Sequence, residues 1–332
     1  MSLHALRGET FFYTPLATTP WSQRTLVKKN NAIAKLGLGG AQFGMDYGLT
    51  NTAGRVSGEV LSDILHAAAR SGLKLIDTAP AYGCSETALG MALPAGHDFR
   101  LVTKVGPIAK PRIEPDDIRA AESALHCSLE RLRVERVYGL LAHRADDLLV
   151  PGGDRLYAAL QSWKSEGKVA RIGVSVYGAA QIDAILARYE IDIVQLPVSL
   201  ADQRLIASGH LRDLKRRGIE VHARSVFLQG LLLMDPAALP PFFEPIRSRL
   251  NAFRLACQAQ SLTLLEACLG FALNEPLIDH VVAGICDSRQ LDALIAAAQT
   301  NRTLPDPAAC AWSEPAQLDP SQWPASKNPT VP

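Results

Sequence analysis

The chain has 332 residues and a mass of 35.8 kDa, with 48% hydrophobic and 20% charged residues. That composition is typical of a globular protein with a large core. Lys and Arg together number 34 and Asp and Glu 33, so the formal net charge is +1. This balance excludes a surface built mainly to hold nucleic acid or an anionic membrane, while leaving room for a basic pocket that binds one small phosphate.

The cysteine pattern predicts neither a disulfide framework nor a zinc site. The six cysteines are Cys84, Cys127, Cys257, Cys268, Cys286 and Cys310. No two of them form a C-x-x-C pair, and scattered cysteines in a long chain are typical of a reduced cytosolic protein. The N-terminus lacks the apolar run of a signal peptide, and the apolar stretch from Ser261 to Leu273 is too short to span a bilayer. We expect a soluble cytoplasmic protein without a metal.

Short apolar runs alternate with amphipathic stretches between residues 35 and 300, after an irregular N-terminal segment over residues 1–34. Eight runs predict β-strands: Lys35–Ala41, Leu73–Asp77, Arg100–Lys104, Val137–Leu141, Ala170–Ser175, Ile191–Leu196, Glu220–Ser225 and His280–Gly284. Their nearly continuous apolar character is typical of parallel strands that are buried on both faces.

The stretches between the strands predict helices, among them Asp116–Arg133, Ala179–Tyr189 and Ser288–Ala298. Either Asp287 or Ser288 is expected to cap the last of these. Strands that alternate with helices indicate βα units and a parallel sheet, and eight units in roughly 265 residues match an α/β fold of the (β/α)₈ TIM-barrel type. A doubly wound open sheet is an alternative with the same strand count.

Residues 301–332 form a Pro-rich C-terminal tail that contains seven prolines together with Trp312 and Trp323. So many prolines exclude a regular helix. The tail is either a disordered end or a segment that lies across the mouth of a barrel. We therefore expect a single domain over residues 35–300, flanked by the N-terminal segment and this tail.

Two short motifs suggest a function but fail when their context is checked. The run Gly37–Gln42 carries Gln42 where a dinucleotide-binding G-x-G-x-x-G motif needs its third glycine, and a loop follows it instead of a helix. The segment around Ser175 lacks the final glycine of a nucleophile elbow. The sequence therefore predicts neither a Rossmann fold nor a nucleophilic serine.

Polar residues follow the apolar runs where a parallel barrel carries its catalytic groups, at the carboxyl ends of the strands. Asp77 ends the second run and Tyr82 follows it, Lys104 ends the third run, and His143 follows the fourth. The next three runs end in Ser175, in Gln195 and in the pair Arg224 and Ser225. We expect these side chains to converge on one cavity.

Asp77, Tyr82, Lys104 and His143 together suit proton transfer to a carbonyl oxygen. Tyrosine, with an ordinary pKa of about 10, is a poor donor at neutral pH. A cation about 4 Å away would stabilise the phenolate by about 4 kcal/mol at an effective dielectric near 20, roughly three pKa units. Lys104 can supply this charge and Asp77 can keep it protonated, while His143 can bond the substrate oxygen. Tyr82 is thus expected to be a general acid tuned towards neutrality.

The stretch Ile76–Glu86, with Gly90 after it, resembles the signature of the aldo/keto reductase superfamily. Lys104 and His143 follow at strand ends, as they do in that superfamily. The resemblance covers about residues 35–300. It implies a (β/α)₈ barrel that binds a nicotinamide dinucleotide in extended form without a Rossmann domain.

The same resemblance implies roles for the four polar residues. Tyr82 would be the acid/base, Asp77 and Lys104 its tuning pair, and His143 the residue that orients the substrate. The run Arg224–Gly230 is similar to bacterial members of the superfamily, and not to the aldose-reductase branch.

The cofactor contacts implied by the resemblance are kept only in part. Ser175 and Gln195 match the positions that hold the nicotinamide carboxamide, but Val176 stands where an asparagine is usual. Arg224 replaces the aromatic residue that usually stacks on the nicotinamide. A planar guanidinium can also stack on a ring, although it brings a charge.

The phosphate contacts differ from the usual pattern as well. Ser225, Gln229 and Gly230 match the loop that approaches the pyrophosphate. The adenosine-phosphate site falls within Ala283–Leu291, before a helix N-terminus that favours an anion. The candidates there are Gly284, Arg289 and Gln290. Arg289 lies one place from the usual arginine and is either its substitute or a solvated charge, so the resemblance favours NADP(H) and leaves NAD(H) open.

Three functions remain open at this point. The first is an NAD(P)H-dependent reductase of an aldehyde or ketone, the second an NAD-dependent aldose or alcohol dehydrogenase, and the third a cofactor-binding sensor subunit like the potassium-channel β-subunits. Polar loops after the first and sixth runs favour a hydroxylated or sugar-like substrate. Their residues are Phe43, Asp46, Tyr47, Asp202, Gln203 and Arg204. The sequence carries no signal for an oligomeric state.

Overall fold

Eight parallel strands form a closed barrel in the computed structural model, which describes residues 31–312 and 314–324. The strands are β1 (Leu36–Gly39), β2 (Leu75–Asp77), β3 (Arg100–Val105), β4 (Val137–Ala142), β5 (Val169–Ser175), β6 (Ile193–Pro197), β7 (Glu220–Arg224) and β8 (His280–Gly284). Each strand pairs with its neighbours in sequence, and β8 pairs with β1. The (β/α)₈ barrel is therefore confirmed, and the open doubly wound sheet is wrong.

Helices surround the barrel. The described α-helices are α1 (Asn31–Lys35), α2 (Ala41–Gly44), α3 (Gly58–Ser71), α4 (Ser85–Ala92), α5 (Pro115–Leu132), α6 (Gly153–Ser165), α7 (Ala179–Leu186), α8 (Arg204–Ala207), α9 (His210–Arg216), α10 (Arg247–Ala259), α11 (Leu264–Asn274), α12 (Ser288–Thr300) and α13 (Pro315–Leu318). Short 3₁₀ segments are Ala145–Leu148, Leu228–Leu233, Pro236–Ala238, Pro241–Ile246, Pro307–Cys310 and Pro320–Gln322. The eight βα units are completed by α3, α4, α5, α6, α7, α9, α11 and α12.

The predicted strands agree with the observed ones to within two residues at each end, and β8 agrees at both ends. The first predicted run is too long on both sides, because Lys35 ends α1 and Ala41 begins α2. The Lys35 ammonium donates to the carbonyls of Leu273 and Glu275, at 3.0 and 2.9 Å. Most of the expected irregular segment over residues 1–34 lies outside the described residues, but its last four residues belong to α1.

Capping groups set the helix boundaries that periodicity alone leaves open. Helix α5 begins with a capping box in which Glu114 and Asp117 each accept from the other's backbone N–H. Before α12, the Asp287 carboxylate accepts from the backbone N–H of Gln290 at 2.8 Å, so Asp287 is the cap and Ser288 the first helical residue. Helix α7 ends at Leu186, three residues earlier than expected.

Side-chain alternation along the strands puts the polar residues on one layer of the barrel interior. Successive side chains point to opposite faces, so every second residue of a barrel strand points inward. One interior layer is apolar and contains Leu75, Val102, Leu141, Ile193 and Val282. Two residues further along the same strands come Asp77, Lys104, His143, Gln195 and Gly284. This second layer lies at the carboxyl end of the barrel.

The opposite end of the barrel holds a separate polar network. The Glu220 carboxylate accepts from the Tyr138 hydroxyl at 2.7 Å and from His222 Nε2 at 2.8 Å, while His280 Nε2 lies 3.3 Å away. Burial would raise the pKa of Glu220, but these hydrogen bonds together hold it well below its ordinary value. The network is therefore a buried anion held by donors, on the far side of the apolar layer from Asp77.

The C-terminal tail packs on the carboxyl end of the barrel as far as residue 324. The backbone N–H of Trp312 donates to the carbonyl of Ala201 at 2.8 Å, and the Trp312 side chain is buried. The Trp323 ring packs edge-on against Phe243, with 4.8 Å between centroids. Of the two alternatives for the tail, the described residues match the segment across the barrel mouth. The last eight residues lie outside the described part.

Within the described residues, no single helix is long and apolar enough to cross a membrane. Two successive helical segments, Pro241–Ala259 and Leu264–Asn274, reach the required length and composition only together, and they bend by 88° at the break between them. The second segment is α11, which buries seven consecutive residues from Ala267 to Leu273. Its apolar character therefore follows from its place in the core.

Candidate active site

A cavity of about 980 Å³ opens at the carboxyl end of the barrel. Its wall includes seven of the eight residues expected to converge there: Asp77, Tyr82, His143, Ser175, Gln195, Arg224 and Ser225. They come from four strands and from the loops after β2, β4 and β7, while the fully buried Lys104 does not line the cavity. The convergence expected from the strand ends therefore occurs. The C-terminal tail contributes Pro320, Ser321, Trp323 and Pro324 to the same wall.

Lys104 and Asp77 form a buried ion pair beneath the cavity. The Lys104 ammonium donates to both carboxylate oxygens of Asp77 at 2.8 Å and to the carbonyl of Thr78 at 2.9 Å. The Gln195 amide donates to the same carboxylate at 2.7 Å. Burial lowers the pKa of Lys104, although the Asp77 charge opposes that shift. All three ammonium protons thus have acceptors, which fixes the side chain.

Tyr82 lies beside this ion pair. Its ring centroid is 4.9 Å from the Lys104 ammonium, and its ring meets that of His143 edge-on with 5.8 Å between centroids. Burial raises the pKa of Tyr82 well above its ordinary value, the Asp77 charge adds to the increase, and Arg224 opposes it. The expected lowering towards neutrality is therefore wrong for this structure. Lys104 is neutralised by Asp77 and faces the ring, so burial dominates and Tyr82 keeps its proton.

His143 is a neutral imidazole in the cavity wall. Burial, together with the nearby charges of Lys104 and Arg224, lowers the pKa of His143 to about 3. Its backbone N–H donates to the carbonyl of Val105 at 3.1 Å, while its buried Nδ1 atom has no hydrogen-bond partner among residues 31–312 and 314–324. A neutral imidazole offers one donor and one acceptor, so His143 can bond a substrate oxygen without adding charge.

Arg224 is held rigidly at the end of β7. Its guanidinium donates to the carbonyl of Val176 at 3.0 Å and to the hydroxyl of Ser225 at 3.2 Å. Its central carbon lies 4.4 Å from the centre of the Tyr177 ring. The guanidinium thus stacks on a tyrosine of the protein, a cation–π contact that orients its plane.

Comparison with protein families identifies the family to which this site belongs. The family model of the aldo/keto reductase family matches residues 35–309. The chain belongs to the aldo/keto reductase family. The match extends over the whole barrel and the first residues of the C-terminal tail.

Two curated bacterial relatives show the range of activities near this aldo/keto reductase. An NADH-specific methylglyoxal reductase of Escherichia coli is 30% identical over 200 residues, which cover 54% of this chain and 60% of the relative. A D-threo-aldose 1-dehydrogenase of a Pseudomonas species is 26% identical over 291 residues, or 76% of this chain and 85% of the relative. The alignment with the reductase thus spans less than two thirds of that protein.

Solved structures share the fold. An aldo-keto reductase from Bacillus halodurans, in its holo form, superposes with a TM-score of 0.63 at 22% identity, covering 79% of this chain and 86% of the other. A glycerol dehydrogenase from Gluconobacter oxydans gives a TM-score of 0.62 at 23% identity, with coverage of 82% and 88%. At these identities the likeness concerns the barrel alone.

Much of the family signature in this aldo/keto reductase has a structural task. The Glu86 carboxylate is buried and accepts from Thr103, Ser128 and Arg131, at 2.6, 3.1 and 2.7 Å. It thereby ties α4 to β3 and α5. A Cβ atom on Gly90 would lie 2.0 Å from the Arg131 carbonyl oxygen, so only glycine allows α4 to approach α5 this closely.

The predicted cofactor residues of this aldo/keto reductase all line the cavity, and three of them also contact other side chains or backbone groups of the protein. They are Ser175, Gln195, Arg224, Ser225, Gln229, Gly230, Gly284, Arg289 and Gln290. Gln195 donates its amide hydrogen to Asp77, and Gln290 accepts from the backbone N–H of Cys286 at 2.8 Å. Arg289 is 92% exposed and lies 3.2 Å from the Asp287 carboxylate. In this structure it is therefore a solvated, paired charge.

The loops that were expected to contact the substrate mostly serve the structure of the barrel. Of their six predicted residues, only Tyr47 lines the cavity. Phe43 is fully buried in the core, and Asp202 is buried and paired with Arg204 at 2.8 Å. The Gln203 amide donates to the carbonyl of Pro307 at 2.7 Å, which attaches the tail. Most of the residues that favoured a sugar-like substrate therefore do not face the cavity.

Tyr177 is a cavity residue that the sequence reasoning missed. It follows Ser175 by two positions, so the alternation of β5 continues into the loop and points it the same way. Tyr177 lies two residues after Ser175, just as His143 lies two residues after Leu141. Extending the alternation of β5 by two residues would therefore have identified Tyr177.

Proposed function

We propose that this protein reduces an aldehyde or ketone with NAD(P)H, and that Tyr82 donates the proton to the carbonyl oxygen. The observation that supports this most directly is that Asp77, Tyr82 and His143 line one cavity, while the fully buried Lys104 side chain pairs with Asp77 at 2.8 Å. These groups can hold and move a proton, but they contain no hydride donor. The hydride has to come from a bound cofactor.

The cavity has the size and donor set that a nicotinamide dinucleotide requires. At about 980 Å³ it lies at the upper end of the range for small-molecule and cofactor sites, roughly 300–1,000 Å³. Leu228, Gln229 and Gly230 have positive φ angles, and the last two line the cavity. Loops of this kind can present backbone N–H groups to a phosphate. When bound, the cofactor supplies the hydride. Ser175, Arg224 and this loop would hold it.

The raised pKa of Tyr82 favours the reductive direction. A neutral phenol carries the proton that reduction consumes, whereas oxidation of an alcohol needs the phenolate as a base. His143 is neutral too, so it can donate to the carbonyl oxygen and orient it towards Tyr82. Oxidation by an NAD-dependent aldose or alcohol dehydrogenase would therefore be favoured only at high pH. No observation in the described residues favours a sensor role over catalysis.

We further propose that NADH is accepted, although the resemblance favours NADPH. Arg289 is the candidate for binding a 2′-phosphate, and it is already paired with Asp287. A 2′-phosphate bound to Arg289 would also lie near the Asp287 carboxylate, and the two negative charges would repel each other. A parallel titration of tryptophan fluorescence with NADH and NADPH tests this proposal. Much tighter binding of NADPH would contradict it.

All six cysteines are free thiols in the structure. Scattered unpaired cysteines are typical of a reducing compartment. We therefore propose a cytoplasmic location. Fractionation of cells that express the tagged protein would test it, and recovery in a membrane or extracellular fraction would contradict it.

The decisive experiment compares the wild type with Tyr82→Phe on a panel of aldehydes and ketones, following loss of reduced-cofactor absorbance. General-acid catalysis contributes about a hundred- to ten-thousand-fold, so we expect a loss of turnover of that size with unchanged cofactor binding. Tyr157→Phe is the matched control, because Tyr157 lies on α6, does not line the cavity, and donates its hydroxyl hydrogen to the Glu190 carbonyl. Near-normal turnover by Tyr82→Phe would refute the proposed acid.

A further inference from the structure

Two buried hydroxyl groups close the loop that carries Tyr82. Thr78 and Ser85 are both 0% exposed, and their hydroxyl oxygens lie 2.8 Å apart. The Ser85 hydroxyl donates to the carbonyl of Gly40 at 2.7 Å, and a hydroxyl has only one hydrogen to donate. Thr78 must therefore donate to Ser85. We call this pair the hydroxyl bridge, and Tyr82 lies within the loop that it closes.

Each residue of the hydroxyl bridge also contacts a group of the active site. The Thr78 carbonyl accepts from the Lys104 ammonium at 2.9 Å, and the Ser85 backbone N–H donates to the Tyr82 carbonyl at 3.1 Å. The Lys104 ammonium in turn lies 4.9 Å from the centre of the Tyr82 ring. The bridge therefore connects the cation to the residue that carries the phenol, with one hydrogen bond at each end.

Helix α2 confines the same loop from the other side. A Cβ atom on Gly44 would lie 1.8 Å from the Tyr82 carbonyl oxygen and 2.3 Å from the Ser85 nitrogen, so α2 packs directly against this turn. Neither Thr78 nor Ser85 lines the cavity. The hydroxyl bridge can therefore act on a ligand only through the groups that it holds in place.

We propose that Thr78 and Ser85 are positioning residues for proton transfer, because their hydroxyl bridge holds the Tyr82 phenol beside the Lys104 ammonium. This inference rests on the proposed carbonyl reduction, since these residues act through its general acid. A displacement of about 1 Å at a reacting group can cost about 100-fold in rate. Loss of the bridge should therefore lower turnover much more than it weakens the binding of substrate or cofactor.

The test removes the bridge from each side. Thr78→Val deletes the donor with little change of shape, and Ser85→Ala deletes the acceptor. We expect each variant to lower kcat for carbonyl reduction by about 10- to 100-fold, with KM and the Kd of the reduced cofactor within about twofold of the wild type. Thr78→Ser keeps a hydroxyl and should restore most of the turnover. Losses confined to KM or to cofactor binding would overturn the inference.

Ser199→Ala is the matched control for Ser85→Ala. Ser199 is also 0% exposed, does not line the cavity, and lies in the loop after β6. Its hydroxyl accepts from the backbone N–H of Asp202 at 2.9 Å. The control thus removes an equally buried hydroxyl from another loop at the same end of the barrel, and it should keep the wild-type kcat.

A cycle with Tyr82→Phe separates a positioning role from a general loss of structure. Because the hydroxyl bridge acts through the Tyr82 hydroxyl, Ser85→Ala should cost nothing further in kcat once Tyr82→Phe has removed that hydroxyl. A structural defect would lower kcat by the same factor in both backgrounds, and that result would overturn the inference. Urea unfolding establishes that each variant is folded, and Thr78→Val replaces Ser85→Ala in the cycle if the latter does not fold.

The remaining outcomes separate this inference from the proposed function. If Tyr82→Phe loses turnover while both bridge variants keep the wild-type kcat, carbonyl reduction stands and the positioning role is overturned. If Tyr82→Phe shows near-normal turnover, the proposed acid is wrong and this inference is overturned with it. The expected result is a loss of kcat in both bridge variants that Thr78→Ser restores and that disappears in the Tyr82→Phe background.

Discussion

The ion pair beneath Tyr82 provides a test of how the catalytic layer is stabilised. The Lys104 and Asp77 side chains are 0% and 5% exposed, and their charged atoms are 2.8 Å apart. Lys104→Met leaves a buried carboxylate with only the Gln195 amide, and Asp77→Asn leaves a buried ammonium. Because each change strands an uncompensated charge, each should lower the free energy of unfolding by about 3–5 kcal/mol.

The double variant shows whether charge compensation is the cause. Lys104→Met combined with Asp77→Asn removes both charges, so neither is stranded and the loss should be smaller than the sum of the two single losses. Opposite charges 2.8 Å apart attract by about 6 kcal/mol at an effective dielectric near 20, which is the upper limit for the coupling. After the remaining desolvation, we expect a coupling of roughly 2–4 kcal/mol.

Urea unfolding of the four proteins at neutral pH measures this coupling directly. The exposed pair Arg119 and Asp116 on α5 is the control, with 70% and 81% of the side chains exposed. Its double-variant cycle, Arg119→Met with Asp116→Asn, should give a coupling of at most about 1 kcal/mol. Strictly additive losses in the Lys104 and Asp77 cycle would refute the reasoning.

Three further predictions concern stability. His143 has a pKa of about 3 in the fold against 6.5 ordinarily, so its contribution is present above about pH 6.5 and lost as the pH falls. Between about pH 6.5 and 4.5, protonation of this imidazole in the unfolded chain costs about 2 kcal/mol of stability, so the free energy of unfolding of His143→Gln, measured with urea at the two pH values, should fall by about 2 kcal/mol less than that of the wild type. Equal falls would contradict the assignment. Gly90→Ala should lower the free energy of unfolding by about 1–3 kcal/mol, because its Cβ atom would lie 2.0 Å from the Arg131 carbonyl oxygen. The control Gly58→Ala, with no atom within 4 Å of the new Cβ, should be neutral or stabilising. Equal shifts in Tm for the two variants would argue against the close approach of α4 to α5. Trp312→Ala, at a 6% exposed position, should cost about 3–5 kcal/mol and speed proteolysis of the tail; a loss below about 1 kcal/mol would mean that the tail is not packed.

The barrel could be predicted because buried parallel strands carry an unambiguous signal. Each strand is covered on both faces, so its sequence is a short apolar run ending in a polar residue that faces the cavity. This is why β8 was predicted at both ends, and why Asp77, Lys104 and His143 could be placed at one end of the barrel. The boundaries of β1 were wrong because helices α1 and α2 continue the same apolar run.

The chemistry of the site was less predictable, because it depends on partners that are distant in sequence. Tyr82 was expected to have its pKa lowered by the Lys104 cation, with Asp77 keeping that cation protonated. In the fold the bidentate contact with Asp77 neutralises the Lys104 charge, and burial raises the pKa of Tyr82. Asp202 and Arg204 looked like substrate ligands on a polar loop, but they satisfy each other. Residue type and strand position identify candidate site residues, but the ion pairs and hydrogen bonds in the fold decide which of them remain able to act on a ligand.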